Sequence, residues 1–291
     1  MNSIKGILLK GIGGFYYVKT ADGILECRAK GIFRKRGVSP KAGDSVLVEG
    51  DGESDGYIIS EIAARKNSFS RPSVANVDHL FLVSSTVDPK PNILVLDKLI
   101  ALSVRQGIKP EILLTKTDLE DGKELRDIYE RSGFSVFDLK KKSEKQKLLK
   151  LIQSGVSVFV GNSGVGKTTL LNEIIPNVCL ETGETSKKLG RGRHTTRAVE
   201  LYEYGDGYIA DTPGFSAIDF EGDQRIKKEE LALLFPEFSP YVDECFFTGC
   251  SHTVEKGCAV LCAVAEGKIE KSRHESYCAL YKVASEQNDW E

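Results

Sequence analysis

Residues 161–168 read Gly-Asn-Ser-Gly-Val-Gly-Lys-Thr and complete the pattern G-x-x-x-x-G-K-[ST], while a T-K-x-D tetrapeptide, Thr115-Lys116-Thr117-Asp118, stands upstream of them. Cores that pair a phosphate loop with such a base-reading motif ordinarily run in the opposite direction, from phosphate loop through two switch segments to the tetrapeptide. A chain with this inverted order starts in the second half of that core and finishes with the first. The fold expected is a doubly wound α/β sheet with a circularly permuted connection.

The spacing has a physical reason. Glycines let the backbone wrap a di- or triphosphate so that several N–H groups point inward. Gly161, Asn162, Ser163, Gly164, Val165, Gly166, Lys167, Thr168 and Thr169 are therefore the candidate phosphate-binding residues. Lys167 carries positive charge to the β/γ oxygens as a catalytic group, and the Thr168 hydroxyl reaches Mg²⁺. Val156 to Val160 reads as the preceding strand, and Thr169 to Ile175 as a helix whose N-terminus faces the phosphates.

Asp211-Thr212-Pro213-Gly214 follows another strand, so Asp211 can hold Mg²⁺ through water and the Gly214 N–H can meet the γ-phosphate. Lys187 to Arg197 is rich in Gly and basic residues. Thr196 is the first choice there for a second Mg²⁺ hydroxyl, with Thr195 the alternative. Many such enzymes place a Gln directly after D-x-x-G to orient the attacking water; here Phe215 stands in that place. His194 is the best-placed polar substitute.

Guanine is favoured over adenine. Glu111 to Leu114 reads as a buried strand delivering Thr115, Lys116, Thr117 and Asp118 to the edge where open α/β sheets collect ligands. The Asp118 carboxylate can accept from guanine N1–H and the 2-amino group. Adenine would leave it unpaired, at about 1–3 kcal/mol. The Lys116 stem can lie along the base.

Cys245, Cys250, His252 and Cys258 place three thiols and an imidazole within fourteen residues. That set suits a tetrahedral structural Zn²⁺, with Cys262 as the decoy ligand. Cys27, Cys179 and Cys278 look isolated, and Arg273, His274 and Tyr277 read as surface and packing groups.

These motifs, in this order, resemble the RsgA family (also called YjeQ or YloQ) of circularly permuted GTPases. The resemblance covers essentially the whole chain. It implies binding to the small (30S) ribosomal subunit and its 16S rRNA during late assembly, with ribosome-stimulated hydrolysis of GTP to GDP driving release. It also points to His194, and to Cys245, Cys250, His252 and Cys258 as zinc ligands. Two departures stand out. Thr115 replaces the usual Asn, and Phe134 to Lys140 lacks the Ser-Ala pair of the usual fifth, base-contacting motif, so no residue is assigned to it.

Composition sets the remaining expectations. The 291 residues carry a net charge of −2 and 41% apolar residues, which suits two or three small domains. Residues 1–72 hold 12 Lys and Arg against 8 Asp and Glu (+4), residues 73–224 hold 20 against 22 (−2), and residues 225–291 hold 8 against 12 (−4). Within the first segment, five short alternating stretches from Gly6 to Ile62 predict a small OB-like barrel. Arg28, Lys30, Arg34, Lys35, Arg36 and Lys41, with Phe33 among them, form its candidate RNA-facing cluster. The expected domains are thus an RNA-binding barrel over 1–72, the permuted GTPase core over 73–224 and a zinc-binding helical region over 225–291. Seven cysteines without a signal peptide or membrane-length apolar run point to the cytoplasm. A monomer without membrane contact is expected. Two other readings fit the residues: a GTPase delivering metal through the Cys/His cluster, and a non-catalytic RNA-binding scaffold stabilised by nucleotide.

Overall fold

The computed structural model describes residues 3–50, 56–70, 72–175, 199–211 and 226–286. Its chain divides into two compact units: Met1–Leu80, Lys147–Ser163 and Lys167–Ser216 in the first, and Phe81–Gln146, Gly164–Gly166 and Ala217–Glu291 in the second.

The first unit begins with β1 (Ile4–Ile12), β2 (Phe15–Thr20), β3 (Gly23–Ala29), α1 (Gly31–Lys35), β4 (Ser45–Glu49) and β5 (Tyr57–Ile62). The strands close into a barrel in the order β1-β2-β3-β5-β4, with β3 parallel to β5 and the other pairs antiparallel. Alternation along each strand sends Leu8, Val18, Cys27, Val46, Val48 and Ile59 inward. Gly6 permits the close pairing of β1 and β2, because a Cβ there would lie 2.4 Å from Val18 Cγ1.

The barrel corrects part of the sequence reading. Phe33, expected among RNA-facing groups, is a core residue carried inward by α1. Lys41 turns to the Phe69 carbonyl at 2.9 Å and Lys30 to Glu49 at 3.0 Å. Arg28 lies over the Phe15 ring, 5.2 Å from its centroid. Arg28, Lys30, Arg34, Lys35 and Arg36 all remain exposed, the last three on and just after α1. A short hairpin not expected from sequence, β6 (Ser68–Phe69) with β7 (Val74–Ala75), follows the barrel.

The core continues as β8 (Val77–Ser85), α2 (Ile93–Arg105), β9 (Glu111–Thr115), α3 (Lys123–Arg131), β10 (Val136–Asp138), α4 (Lys142–Leu151), β11 (Ser154–Val160), α5 (Lys167–Ile174), β12 (Glu200–Tyr204) and β13 (Asp206–Asp211). In the second unit β10, β9 and β8 hydrogen-bond in that order, and in the first β11, β13 and β12 do so. β10, β9 and β8 are parallel, as are β11 and β13; β12 is antiparallel to β13. Their near-continuous apolar runs, such as Leu80 to Val83 and Ile112 to Leu114, are buried as expected for strands covered on both faces. β10 is the shortest of these strands, Val136–Asp138 only.

Within the second unit, α6 (Lys228–Leu231), three 3₁₀ turns, α7 (Ala259–Ala265) and α8 (Lys271–Glu286) follow among the described residues. Arg273, read from sequence as a surface or packing group, is fully buried. Its guanidinium donates to Asp97 of α2 at 2.6 Å and to Glu237 at 2.6 Å. Tyr129 of α3 also donates to Asp97, at 2.9 Å. Phe235 stacks on the guanidinium, 4.6 Å from its ring centroid. α8 is thus locked to α2 and α3 by a charge cluster that no local sequence pattern announced.

Candidate nucleotide site and metal centre

β9 ends at Thr115, and the next three residues turn sharply: Lys116 takes a left-handed conformation at φ +58°. Each side chain of the turn has a distinct anchor. Thr115 Oγ1 donates to the Val165 carbonyl at 2.6 Å, tying the tetrapeptide to the middle of the phosphate loop. The hydroxyl that replaces the usual Asn thus makes, as a donor, a bond that an Asn amide N–H could make. Lys116 donates its ammonium to the Asp88 carbonyl, which fixes the stem along the turn. Thr117 Oγ1 donates to Asp138 Oδ1 at 2.7 Å. Asp118, at the end, is half exposed and paired with Lys140 at 3.4 Å.

A second layer holds that turn. Asp138, buried at the end of β10, gives its backbone N–H to Glu144 Oε2 at 2.6 Å. Arg126 donates to the same carboxylate at 2.9 Å. Burial opposes ionisation of Glu144, but the Asp138 N–H and the Arg126 guanidinium outweigh it and hold the carboxyl below its ordinary range. Asp88, Asp138 and Glu144 were not singled out in the sequence. The acidic residue closing a strand, Asp138, was the one available signal.

In the phosphate loop, Gly166 adopts φ +98°, a conformation that a side chain would strain, and it faces Thr115. Lys167 is buried, and its ammonium donates to the carbonyls of Gly161 and Asn162, the latter at 3.0 Å. The loop therefore already encloses the cation that would meet phosphate oxygens. Thr168 and Thr169 lie in the first turn of α5, and the backbone of Asp211 closes β13. His194, Thr195, Thr196 and Gly214, together with Cys179 and Phe215, lie outside the described residues.

Cys245, Cys250, His252 and Cys258 converge, with all four ligand atoms within 4.8 Å of one another. Zinc bonds of about 2.3 Å to sulfur and 2.0–2.1 Å to nitrogen, at tetrahedral angles, set edges of about 3.8 Å between sulfurs and 3.5 Å between sulfur and nitrogen. The Cys245 and Cys258 sulfurs are 3.8 Å apart, and each is 3.5 Å from His252 Nδ1. The residues fit the ion. Burial pushes the Cys250 and Cys258 thiols up and the His252 imidazole down. A cation is what would let the thiolates form while the imidazole stays neutral.

The surrounding loop is prebuilt. Ala259 N–H and Leu261 N–H point at the Cys245 and Cys258 sulfurs, at 3.4 and 3.5 Å. Glu255 accepts the N–H groups of Ser251, Thr253 and Val254 at 2.8, 3.1 and 3.1 Å. Burial opposes its ionisation, but these bonds win and hold its carboxyl down at about 2. Cys262 is exposed on α7 and is not part of the ligand set.

The family model for the RsgA GTPase matches residues 62–221, and that for the RsgA N-terminal domain matches residues 5–58. The chain belongs to the RsgA GTPase family. Its RsgA relatives include proteins named small ribosomal subunit biogenesis GTPase RsgA. The one from Shouchella clausii is 41% identical over 97% of this chain and 98% of its own length; the one from Halalkalibacterium halodurans is 42% identical over 98% of each. Among solved structures, the circularly permuted GTPase YloQ superposes with a TM-score of 0.79 at 32% identity, covering 99% of this chain and 96% of YloQ. YjeQ from Thermotoga maritima gives 0.81 at 30%, covering 99% and 100%. The RsgA fold accounts for the inverted motif order: a permuted GTPase core behind an OB-like barrel. Among the described residues no helix is long and apolar enough to cross a membrane.

Proposed function

We infer that this chain hydrolyses GTP on the small (30S) ribosomal subunit late in its assembly, and that hydrolysis drives its release. One observation carries the nucleotide part of the reading: the bond from Thr115 to the Val165 carbonyl ties the turn that would read guanine to the middle of the phosphate loop. In this reading Asp118 reads the base, and the loop N–H groups with Lys167 hold the phosphates. Thr168, Thr196 and Asp211 serve Mg²⁺, Gly214 reports the γ-phosphate, and His194 orients water. Residues 1–72 bind 16S rRNA, 73–224 form the GTPase domain and 225–291 carry one structural Zn²⁺. The names of its RsgA relatives and the exposed cations Arg34, Lys35 and Arg36 support the ribosomal part. The protein works as a cytoplasmic monomer.

The test is GTP turnover with and without purified small subunits. Turnover is expected to be slow alone and strongly stimulated by the subunit. His194→Ala should lose most of the stimulated rate while retaining GTP and subunit affinity. An unstimulated rate would overturn the ribosomal role; turnover of the variant within about twofold of native would remove His194 from the mechanism, since general acid–base assistance contributes about 10²–10⁴-fold.

A further inference from the structure

The turn after β10 stands beside Asp118 but lacks the Ser-Ala pair of the fifth motif, which leaves open what meets the far edge of the base. Its backbone donors are committed within the protein. Leu139 N–H goes to the Leu114 carbonyl at 3.5 Å, Lys140 N–H to the Asp138 carboxylate at 3.0 Å, and Lys141 N–H to the Asp138 carbonyl at 3.0 Å. The side chain of Lys140 is placed differently. Its ammonium lies 3.4 Å from Asp118 Oδ1, with the two side chains 64% and 54% exposed. An ion pair this open contributes little to stability.

We propose that Lys140 is a specificity-determining residue whose ammonium donates to the 6-oxo group of guanine, beside the Asp118 carboxylate that accepts from N1–H and the 2-amino group. This rests on the assignment of Asp118 as the base reader. N1 and C6 are neighbours in the ring, so a donor held next to the carboxylate oxygen that takes N1–H falls beside O6. As the base seats, the ammonium exchanges a solvated carboxylate contact for the oxo group while staying near Asp118. An ammonium offers three donors and no acceptor. Adenine brings its own donor, the 6-amino group, to that point, so two donors face each other and neither is satisfied. Asp118 and Lys140 together then read acceptor, donor, donor along one edge of guanine. Asp138 is the positioning residue: its buried carboxylate binds both Thr117 Oγ1 and Lys140 N–H, fixing the two turns against each other.

The experiment measures binding of GDP and of 2-aminopurine riboside diphosphate, which lacks the 6-oxo group and with it the N1–H, to the full-length chain and its Lys140→Met and Lys140→Arg variants. Lys140→Met should weaken GDP about tenfold, as for a lost charge-assisted hydrogen bond, and leave the 2-aminopurine nucleotide within about twofold. Lys140→Arg should restore most of the GDP affinity. Equal losses for the two nucleotides would show only a general charge effect and overturn the proposal, as would unchanged GDP binding. Asp118→Asn, measured against GDP and xanthosine diphosphate, separates the two levels. No shift toward xanthosine would remove the base-reading assignment itself. A normal shift beside an unaffected Lys140→Met would remove Lys140 alone.

Discussion

Asp118 and Arg273 are both charged side chains, yet their surroundings assign them opposite kinds of work. Asp118 sits half exposed at the end of a turn whose other members are each tied down, and its ionic contact with Lys140 is an open one, which suits the base-reading role proposed for it. Asp118→Asn should weaken GTP binding and move preference toward xanthine nucleotide, whose 2-oxo group receives the new amide. Competition binding with GTP, XTP and ATP checks this, and equal native affinity for ATP and GTP would sink the assignment. Arg273 has no surface exposure and satisfies two carboxylates at once. Arg273→Met leaves Asp97 and Glu237 as buried, unpaired charges, which costs about 3–5 kcal/mol. Denaturant unfolding reads that loss directly. A change below about 1 kcal/mol, the range of surface pairs, would mean the cluster opens to water more readily than its burial indicates.

At the scale of elements, the metal loop shows how backbone supports ligands. Cys245, Cys250, His252 and Cys258 come from a stretch with almost no regular structure, and His252 itself sits at φ +57°. Glu255 holds that stretch through three backbone N–H groups. Glu255→Gln has one acceptor oxygen fewer and no charge, so zinc affinity should fall about tenfold or more, as when other groups that orient ligands are lost. Chelator competition measures it; unchanged affinity would show that the four ligands alone define the loop. Stoichiometric zinc that resists exchange is the companion expectation, and rapid exchange would favour a metal-delivery role.

Elements of this kind differ in how plainly sequence announces them. The phosphate loop and the Cys/His cluster are legible because their chemistry fixes residue types at short spacing. The barrel and sheet strands are legible because burial imposes alternation or continuous apolar runs. The helix Gly31–Lys35 is too short to display a helical period, so Phe33 looked like part of a basic surface. The hairpin Ser68–Phe69 with Val74–Ala75 has only two residues per strand, too few to alternate. The partnerships of Asp138 and Arg273 were opaque for another reason. Their partners lie 21 and 176 residues away, so only the folded topology brings Thr117 to the first and Asp97 to the second.

Across the whole molecule, charge and fold divide the labour of binding. The segment 1–72 carries +4 and the segment 225–291 carries −4, so attraction to a polyanion belongs to the barrel end of the sequence. The barrel also narrows the candidate cluster, because Phe33 is a core residue and Lys41 is held by the Phe69 carbonyl while Arg34, Lys35 and Arg36 stay exposed around α1. Each cation that meets a phosphate releases counterions, so affinity for RNA falls with salt in proportion to such contacts. Replacing Arg34, Lys35 and Arg36 with Gln should weaken binding to small subunits and flatten the plot of log affinity against log salt by about one unit per lost contact. Replacing Lys41 instead should change the slope less, because its ammonium is already held by the Phe69 carbonyl. Intrinsic GTP turnover should hold steady in the first variant, because none of its three residues belongs to the nucleotide site. Binding measured across a salt series decides the matter: an unchanged slope would make α1 a merely solvated face and move the RNA contact elsewhere in the chain.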